Sequence, residues 1–269
     1  MFAVIFGLFG LIIGSFLNVL ILRGGVRALS GRSACMSCGK EILWYDLIPV
    51  FSWIWLQGKC RFCKSKISAQ YVLVELLTAF LFATIGASAF PIFLRLFCLP
   101  ILALLIAISV YDLRHTIIPD AWVWTFNVLA LLSIFAFPLQ ATTYWLPAIL
   151  AGPVVALPLF LLWFVSHGRW MGLGDAKLAL GIGWLLGPFY GMIALFLSFI
   201  IGAFVSVFIL LPLPHFVAYL RKWGIARLSN VSHQLTMKSE VPFGPFLVSA
   251  CLLVWISQMY GIPIPFIWQ

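Results

Sequence analysis

Charged side chains are scarce in this chain: Asp, Glu, Lys and Arg make up 9% of its 269 residues, where an ordinary soluble domain carries about 25%. That shortage, with 64% hydrophobic residues and a mean hydropathy of +1.14, excludes a soluble globular protein and predicts an all-α polytopic membrane protein. Acidic residues are scarcer still, seven against 16 basic ones. The sequence also lacks internal repeats and low-complexity tracts. No basic stretch precedes the apolar run 1–22 and no small-residue cleavage site follows it, so the run reads as a retained first transmembrane helix, not a signal peptide. No GxGxxG follows a strand pattern, so no nucleotide-type site is visible by motif.

What is present is a series of apolar runs. After 1–22 come 67–90, 96–111, 121–137, 145–165, 176–187, 189–211 and 243–260. A span needs about 17 to 25 residues, so the reading is about eight transmembrane helices. The sixth is short. From Asp175 to Pro188 it reaches only about 21 Å as helix, against roughly 30 Å of hydrocarbon, and backbone at that depth must be packed inside protein or line a wet cavity.

Basic residues orient the bundle. Eight of the 16 lie between Arg23 and Lys66. Arg221, Lys222, Arg227 and Lys238 lie between the seventh and eighth runs, and Arg114, Arg169 and Lys177 fall in connections on the same side. Arg95 stands alone opposite. The positive-inside rule makes the crowded side cytoplasmic and both termini extracytoplasmic. The net charge of +9 is then a topology signal, aided by anionic headgroups of the lipid bilayer, and requires no nucleic acid.

One composition shift divides the chain into a first helix (1–22), a polar cytoplasmic lobe (23–67) and a helical bundle (68–269). In the lobe, Cys35 and Cys38 form one CxxC pair and Cys60 and Cys63 another, 21 residues apart. Paired cysteines in a reducing compartment are metal ligands more often than disulfides, and this spacing is close to that of a zinc ribbon. Four thiolates leave no open coordination position, so the zinc would be structural; a redox-active dithiol pair is the alternative. Forty-odd residues need such a staple to hold a fold. Between the pairs, WYDLIPVFSWIWL (44–56) is apolar enough to pack inside the lobe or to lie on the membrane surface. Cys98 and Cys251, alone in apolar runs, read as small hydrophobes.

Four carboxylates fall within or at the ends of spans, where ionisable groups are costly and functional by default: Glu75, Asp112, Asp120 and Asp175. Asp112 ends the third span and Asp175, in GLGDAK, starts the sixth, at the same membrane face. Two carboxylates sharing a site hold one proton between them, an arrangement suited to peptide hydrolysis. The bland readings are that Asp120 and Asp175 cap helices and that Asp112 pairs with Arg114 or His115. Asn18, polar at membrane depth, either bonds another helix or lines a site. Gly7, Gly10 and Gly14 recur at helix-packing spacing. Glu75 has no cation near it in sequence, and Arg23 is its candidate partner.

The series GSFLNVLILR (14–23), CxxC–CxxC, YVLVELLTA (71–79), DLRHTIIPD (112–120), GLGDAK (172–177) and FGPFL (243–247) resembles the type IV prepilin peptidases over nearly the whole chain. These are GxGD-type intramembrane aspartyl proteases of the bacterial inner membrane that serve type IV pilus and type II secretion systems. The resemblance implies that the chain cleaves the leader of prepilin or pseudopilin substrates at the cytoplasmic face and N-methylates the new amino terminus, with S-adenosylmethionine as methyl donor. It implies Asp112 and Asp175 as the catalytic pair, the four cysteines as the zinc site, and Glu75, Asn18 and Arg23 as residues of the methyl-transfer region beside the lobe. Around that region the chain departs from the family pattern: Gly24 and Gly25 replace a common Leu-Pro, Gln70 a common arginine, and Val72 a proline. The alternatives are a leader peptidase without methyl transfer, or a membrane scaffold or transporter whose polar residues line a path.

Overall fold

The computed structural model describes residues 1–24, 32–136, 145–210 and 242–262. Among these residues the regular elements are helical, apart from two isolated antiparallel bridges. In order they are α1 (Phe2–Arg23), a 3-10 turn (Trp44–Leu47), α2 (Phe51–Trp55), α3 (Gln70–Ala87), α4 (Ile92–His115), α5 (Asp120–Ala136), α6 (Trp145–Ser166), α7 (Leu173–Leu186), α8 (Pro188–Phe204, continuing into a π turn, Val205–Leu210) and α9 (Gly244–Tyr260). Each of the eight apolar runs contains a helix. Five are long and apolar enough to cross a bilayer: α1, α3, α4, most of α6, and α8 with part of its π turn. The other three are shorter, 17 residues for α5 and α9 and 14 for α7. The described residues are thus all-helical in their regular elements, and the protein is a multi-pass membrane protein. The connection over 213–241, with its four basic residues, lies outside the described residues, as do Phe137 and the chain beyond residue 262.

The chain forms two compact units, Met1–Tyr111 and Asp112–Gln269. In the first, α1 lies along α3 at close range. A methyl carbon placed on Gly10 would stand 2.7 Å from Ala79 Cα, and one on Gly14 would stand 2.7 Å from Glu75 Cα. From the other helix, one on Gly86 would meet the Phe2 carbonyl oxygen at 2.8 Å. Side chains at these positions would force the backbones apart, so the glycine spacing marks a helix-packing seam. Asn18 is buried in it and donates Nδ2 to the Gly14 carbonyl (3.2 Å) and, across the seam, to the Tyr71 carbonyl of α3 (3.0 Å). It bonds another helix, one of the two roles its position allowed.

In the second unit α7 is the central helix, packed by α5, α6, α8 and α9. Nine of its 14 residues are buried, so protein packs around most of this short helix. Small residues make this possible. Gly183 lies against the Ala151 carbonyl of α6, and Gly181 admits the side chains of Phe126 and Asn127 from α5. Gly187, in the left-handed region at φ 82°, ends α7, and Pro188 opens α8 at once.

Candidate functional site

The short connection from α4 to α5 brings two carboxylates together. Asp112 lies in the last turn of α4. Thr116 then turns the chain at φ 52°, its amide bonded to the Asp112 carbonyl (2.8 Å), and Pro119 precedes the start of α5. Ile118, within this connection, is the contact that assembles the site. A methyl carbon on Gly174, beside Asp175, would stand 3.0 Å from Ile118 Cβ; one on Gly244, at the start of α9, would stand 3.4 Å from Ile118 Cδ1 and 2.5 Å from Asp112 Oδ2. The Gly244 amide itself donates to Asp112 Oδ2 at 3.1 Å. Ile118 thus touches both the residue before Asp175 and the glycine whose amide holds Asp112. Asp112 and Asp175 are nearly enclosed, at 4% and 8% exposure. Two carboxylates from helices 63 residues apart in sequence therefore share one buried site.

Asp120 is engaged differently. It is the first residue of α5, and its Oδ1 accepts from Lys177 Nζ of α7 at 2.7 Å. An ion pair thus joins the start of α5 to α7, because Lys177 lies two residues beyond Asp175 and projects toward Asp120. The Asp120 carboxylate is 66% exposed, so the pair contributes about 0.5 kcal/mol. Asn127 ties the same two helices at depth, donating Nδ2 to the Lys177 carbonyl at 3.1 Å. The sequence reading passed over Asn127 and gave Gly244 no role. An isolated amide inside an apolar run was the available signal for the first; the second depends on a contact across 132 residues.

Glu75 of α3 faces the lobe. It is buried, and its Oε2 accepts from the Val50 amide at 2.8 Å. Ser15 of α1 contributes a further hydrogen bond to this carboxylate. Arg23, expected as the partner of Glu75, donates Nη2 to the Arg32 carbonyl at 3.1 Å. Among the described residues, the lobe presents the Val50 backbone amide to Glu75.

The four lobe cysteines converge: their sulfurs all lie within 4.8 Å of one another. The Cys35 and Cys63 sulfurs are 3.8 Å apart, far from the roughly 2.05 Å of a disulfide. Four sulfurs at about 2.3 Å from one ion would stand about 3.8 Å apart at the corners of a tetrahedron, so the cluster fits a single metal ion. The two pairs are built alike. Cys35 N bonds Lys40 O and Gly39 N bonds Cys35 O, while Cys60 N bonds Ser65 O and Lys64 N bonds Cys60 O. Gly39 and Lys64 occupy the same left-handed position, and the bridges Ala34–Glu41 and Lys59–Lys66 close the two loops. SACMSCGKEI and GKCRFCKSKI are therefore a ten-residue structural repeat, hidden in the sequence because backbone geometry, and little beyond the cysteines, is what repeats. Amides of Cys38 and Ser37 bring the Cys35 thiol down to about 6, while burial and the neighbouring thiols Cys35 and Cys63 push the Cys38 thiol up to about 11.

Two family models match the chain. Residues 8–89 match the bacterial peptidase A24 N-terminal domain, and residues 99–207 match the type IV leader peptidase family. Three curated relatives are each named prepilin leader peptidase/N-methyltransferase. That of Aeromonas hydrophila is 32% identical, covering 97% of this chain and 91% of the relative. That of Bacillus subtilis (strain 168) is 29% identical, over 93% and 92%. That of Vibrio cholerae serotype O1 is 29% identical, over 95% and 97%. No solved structure gives a significant match. The coverage is close to end to end, both domains are matched, and the chain belongs to the type IV leader peptidase family.

Proposed function

We propose that this chain removes the leader peptide of type IV prepilins or pseudopilins at the cytoplasmic face of the bacterial inner membrane and then N-methylates the new amino terminus. The observation that carries the first activity is the Asp112–Asp175 pair, buried together beside the Gly244 amide. In this reading the ionised member takes a proton from a water molecule as the water oxygen bonds to the scissile carbonyl carbon. The protonated member donates to the carbonyl oxygen, and collapse of the tetrahedral intermediate breaks the C–N bond, with the amine leaving protonated. The Gly244 amide fixes Asp112 Oδ2, so the carboxylates keep their relative aim during proton exchange. Mass spectrometry of a co-expressed prepilin tests both activities at once. Loss of the leader with gain of one methylene mass is the expected product; an intact leader rejects the proposal.

Methyl transfer is assigned to the lobe of residues 23–67 and the adjoining ends of α1 and α3. S-adenosylmethionine supplies a methyl group on a sulfonium centre. The buried Glu75 carboxylate is suited to a cationic partner, either the donor or the substrate ammonium. Asn18 and Arg23, bonded to the carbonyls of Tyr71 and Arg32, enter this reading as residues that position α3 and the lobe. A second reading, cleavage without methylation, is favoured by a cysteine cluster that would be saturated by one ion. A product lacking the leader but carrying an unmodified amine would select it.

The metal is assigned as zinc with a structural role, since four thiolates leave it no open position. Purified protein should contain about one zinc per chain, and the double variant Cys35→Ser, Cys60→Ser should lose it. A metal-free chain with a Cys38–Cys63 disulfide in the cytosol would reject the assignment.

The membrane arrangement proposed is eight spans with the aspartate pair facing the cytoplasm and both termini outside. It rests on the basic residues flanking the runs, on the burial of most of α7 and about half of α9 within protein, and on the exposed apolar face that α5 keeps for lipid, Trp124, Val128, Leu132 and Phe135. A reporter fused after Phe137 or at the C-terminus should read extracytoplasmic, and one near Leu228 cytoplasmic. The inverse pattern would overturn it.

A further inference from the structure

The lobe displays an apolar face that the first unit does not cover. Within residues 44–55, Trp44, Phe51 and Trp55 are 78%, 72% and 83% exposed, with Tyr45, Ile48 and Ile54 exposed beside them. Trp53 is the inward member, its ring against Gly58 and its Nε1 donating to the Ile67 carbonyl at 3.3 Å. Aromatic surface of this extent, shown to water on so small a lobe, marks an interaction site.

Three observations say what covers it. The lobe is tethered at both ends to membrane helices, leaving α1 at Arg23 and entering α3 at Gln70. It is also pinned in depth. The Val50 amide bonds Glu75, in the second turn of α3, so α2, which starts at the next residue, lies beside α3 past its first turn. Leu73 and Leu76, in the same part of α3, are themselves exposed and apolar. Val50 takes φ 63° to make this bond, in a tight turn closed by Phe51 N to Pro49 O, a conformation that a β-branched residue adopts only when its surroundings impose it. Finally, charge is complementary. Arg32 and Arg61 are paired with Glu41 and Asp46, so Lys40, Lys59, Lys64 and Lys66 give the lobe a net positive charge. Tryptophan and tyrosine favour the headgroup zone, and lysines beside it favour anionic lipid.

We propose that the face formed by Trp44, Tyr45, Phe51, Ile54 and Trp55 is seated in the interface of the same bilayer that α1 and α3 cross, and that it anchors the lobe to anionic phospholipid. This is independent of the enzymatic reading. The test uses the full chain in vesicles of phosphatidylethanolamine and phosphatidylglycerol, with photoreactive p-benzoylphenylalanine in place of Trp55 in one preparation and of Phe51 in another. Both replacements keep an exposed aromatic ring, so folding is spared. After irradiation, peptides carrying either position should gain the mass of one phospholipid. The yield should fall when phosphatidylcholine replaces phosphatidylglycerol. Cross-links to a second protein chain, or irradiated peptides carrying no phospholipid, would overturn the proposal. A yield indifferent to lipid charge would overturn the anionic specificity.

Discussion

Asp112→Asn and Asp175→Asn will each abolish leader removal, lowering the rate by at least about 10³-fold. Asparagine keeps the size and can still accept the Gly244 amide, but it removes the group that titrates. Neither aspartate alone can both take the proton from water and donate one to the carbonyl. The double variant should therefore be no worse than either single one, since residues acting as a unit are non-additive. Gly244→Ala should also be severely impaired, because its new methyl would stand 2.5 Å from Asp112 Oδ2. Asp120→Asn is the control. It removes only a partly exposed ion pair with Lys177, and activity should survive. A processed prepilin in Asp112→Asn, with none in Asp120→Asn, would move the catalytic pair to Asp120 and Asp175.

Glu75→Gln should leave leader removal largely intact while the product loses its added methyl group. The geometry makes this substitution more informative than alanine. Glutamine can still accept the Val50 amide through Oε1, so the lobe stays bonded to α3, and only the negative charge is lost. An amine attacking a methyl sulfonium must be neutral and correctly aimed beside a cation, and a buried carboxylate is suited to hold either charged partner. If Glu75→Gln methylates normally while Glu75→Ala does not, docking of Val50 is the function and charge is not. Normal methylation in both variants would remove Glu75 from the methyl-transfer site. Product mass and leader loss, read from the same sample, separate these outcomes.

Much of this was legible in order of residues alone, and for identifiable reasons. Apolar runs of span length in a chain with few charges predict helices in lipid, and each of the eight runs contains one. Gly7, Gly10 and Gly14 predicted a helix seam because close backbone approach requires absent side chains, and α3 meets them there. Two CxxC pairs predicted a four-sulfur cluster, since the spacing within each pair is local geometry. The resemblance to the prepilin peptidases likewise rested on motifs read along the chain, and the family matches cover both halves.

Tertiary structure decided what depends on long-range contact. Periodicity could not say which of Asp112 and Asp120 stands beside Asp175. Both lie in the same nine-residue motif, and the choice is made by the turn at Thr116 and by Ile118 packing against Gly174 and Gly244. Nor could sequence show that Glu75 meets a backbone amide, because amides carry no side-chain signature and the Val50 turn that aims this one is imposed by its surroundings. The stretch 44–56 had two fates on composition alone, core or membrane surface. Its exposed aromatic rings rule out the first for most of the stretch, since burial belongs to the folded arrangement and not to the residue type; seating at the membrane surface is the proposal made above. Sequence therefore fixed the chemistry available to this protein, while packing decided which groups were brought within reach of one another.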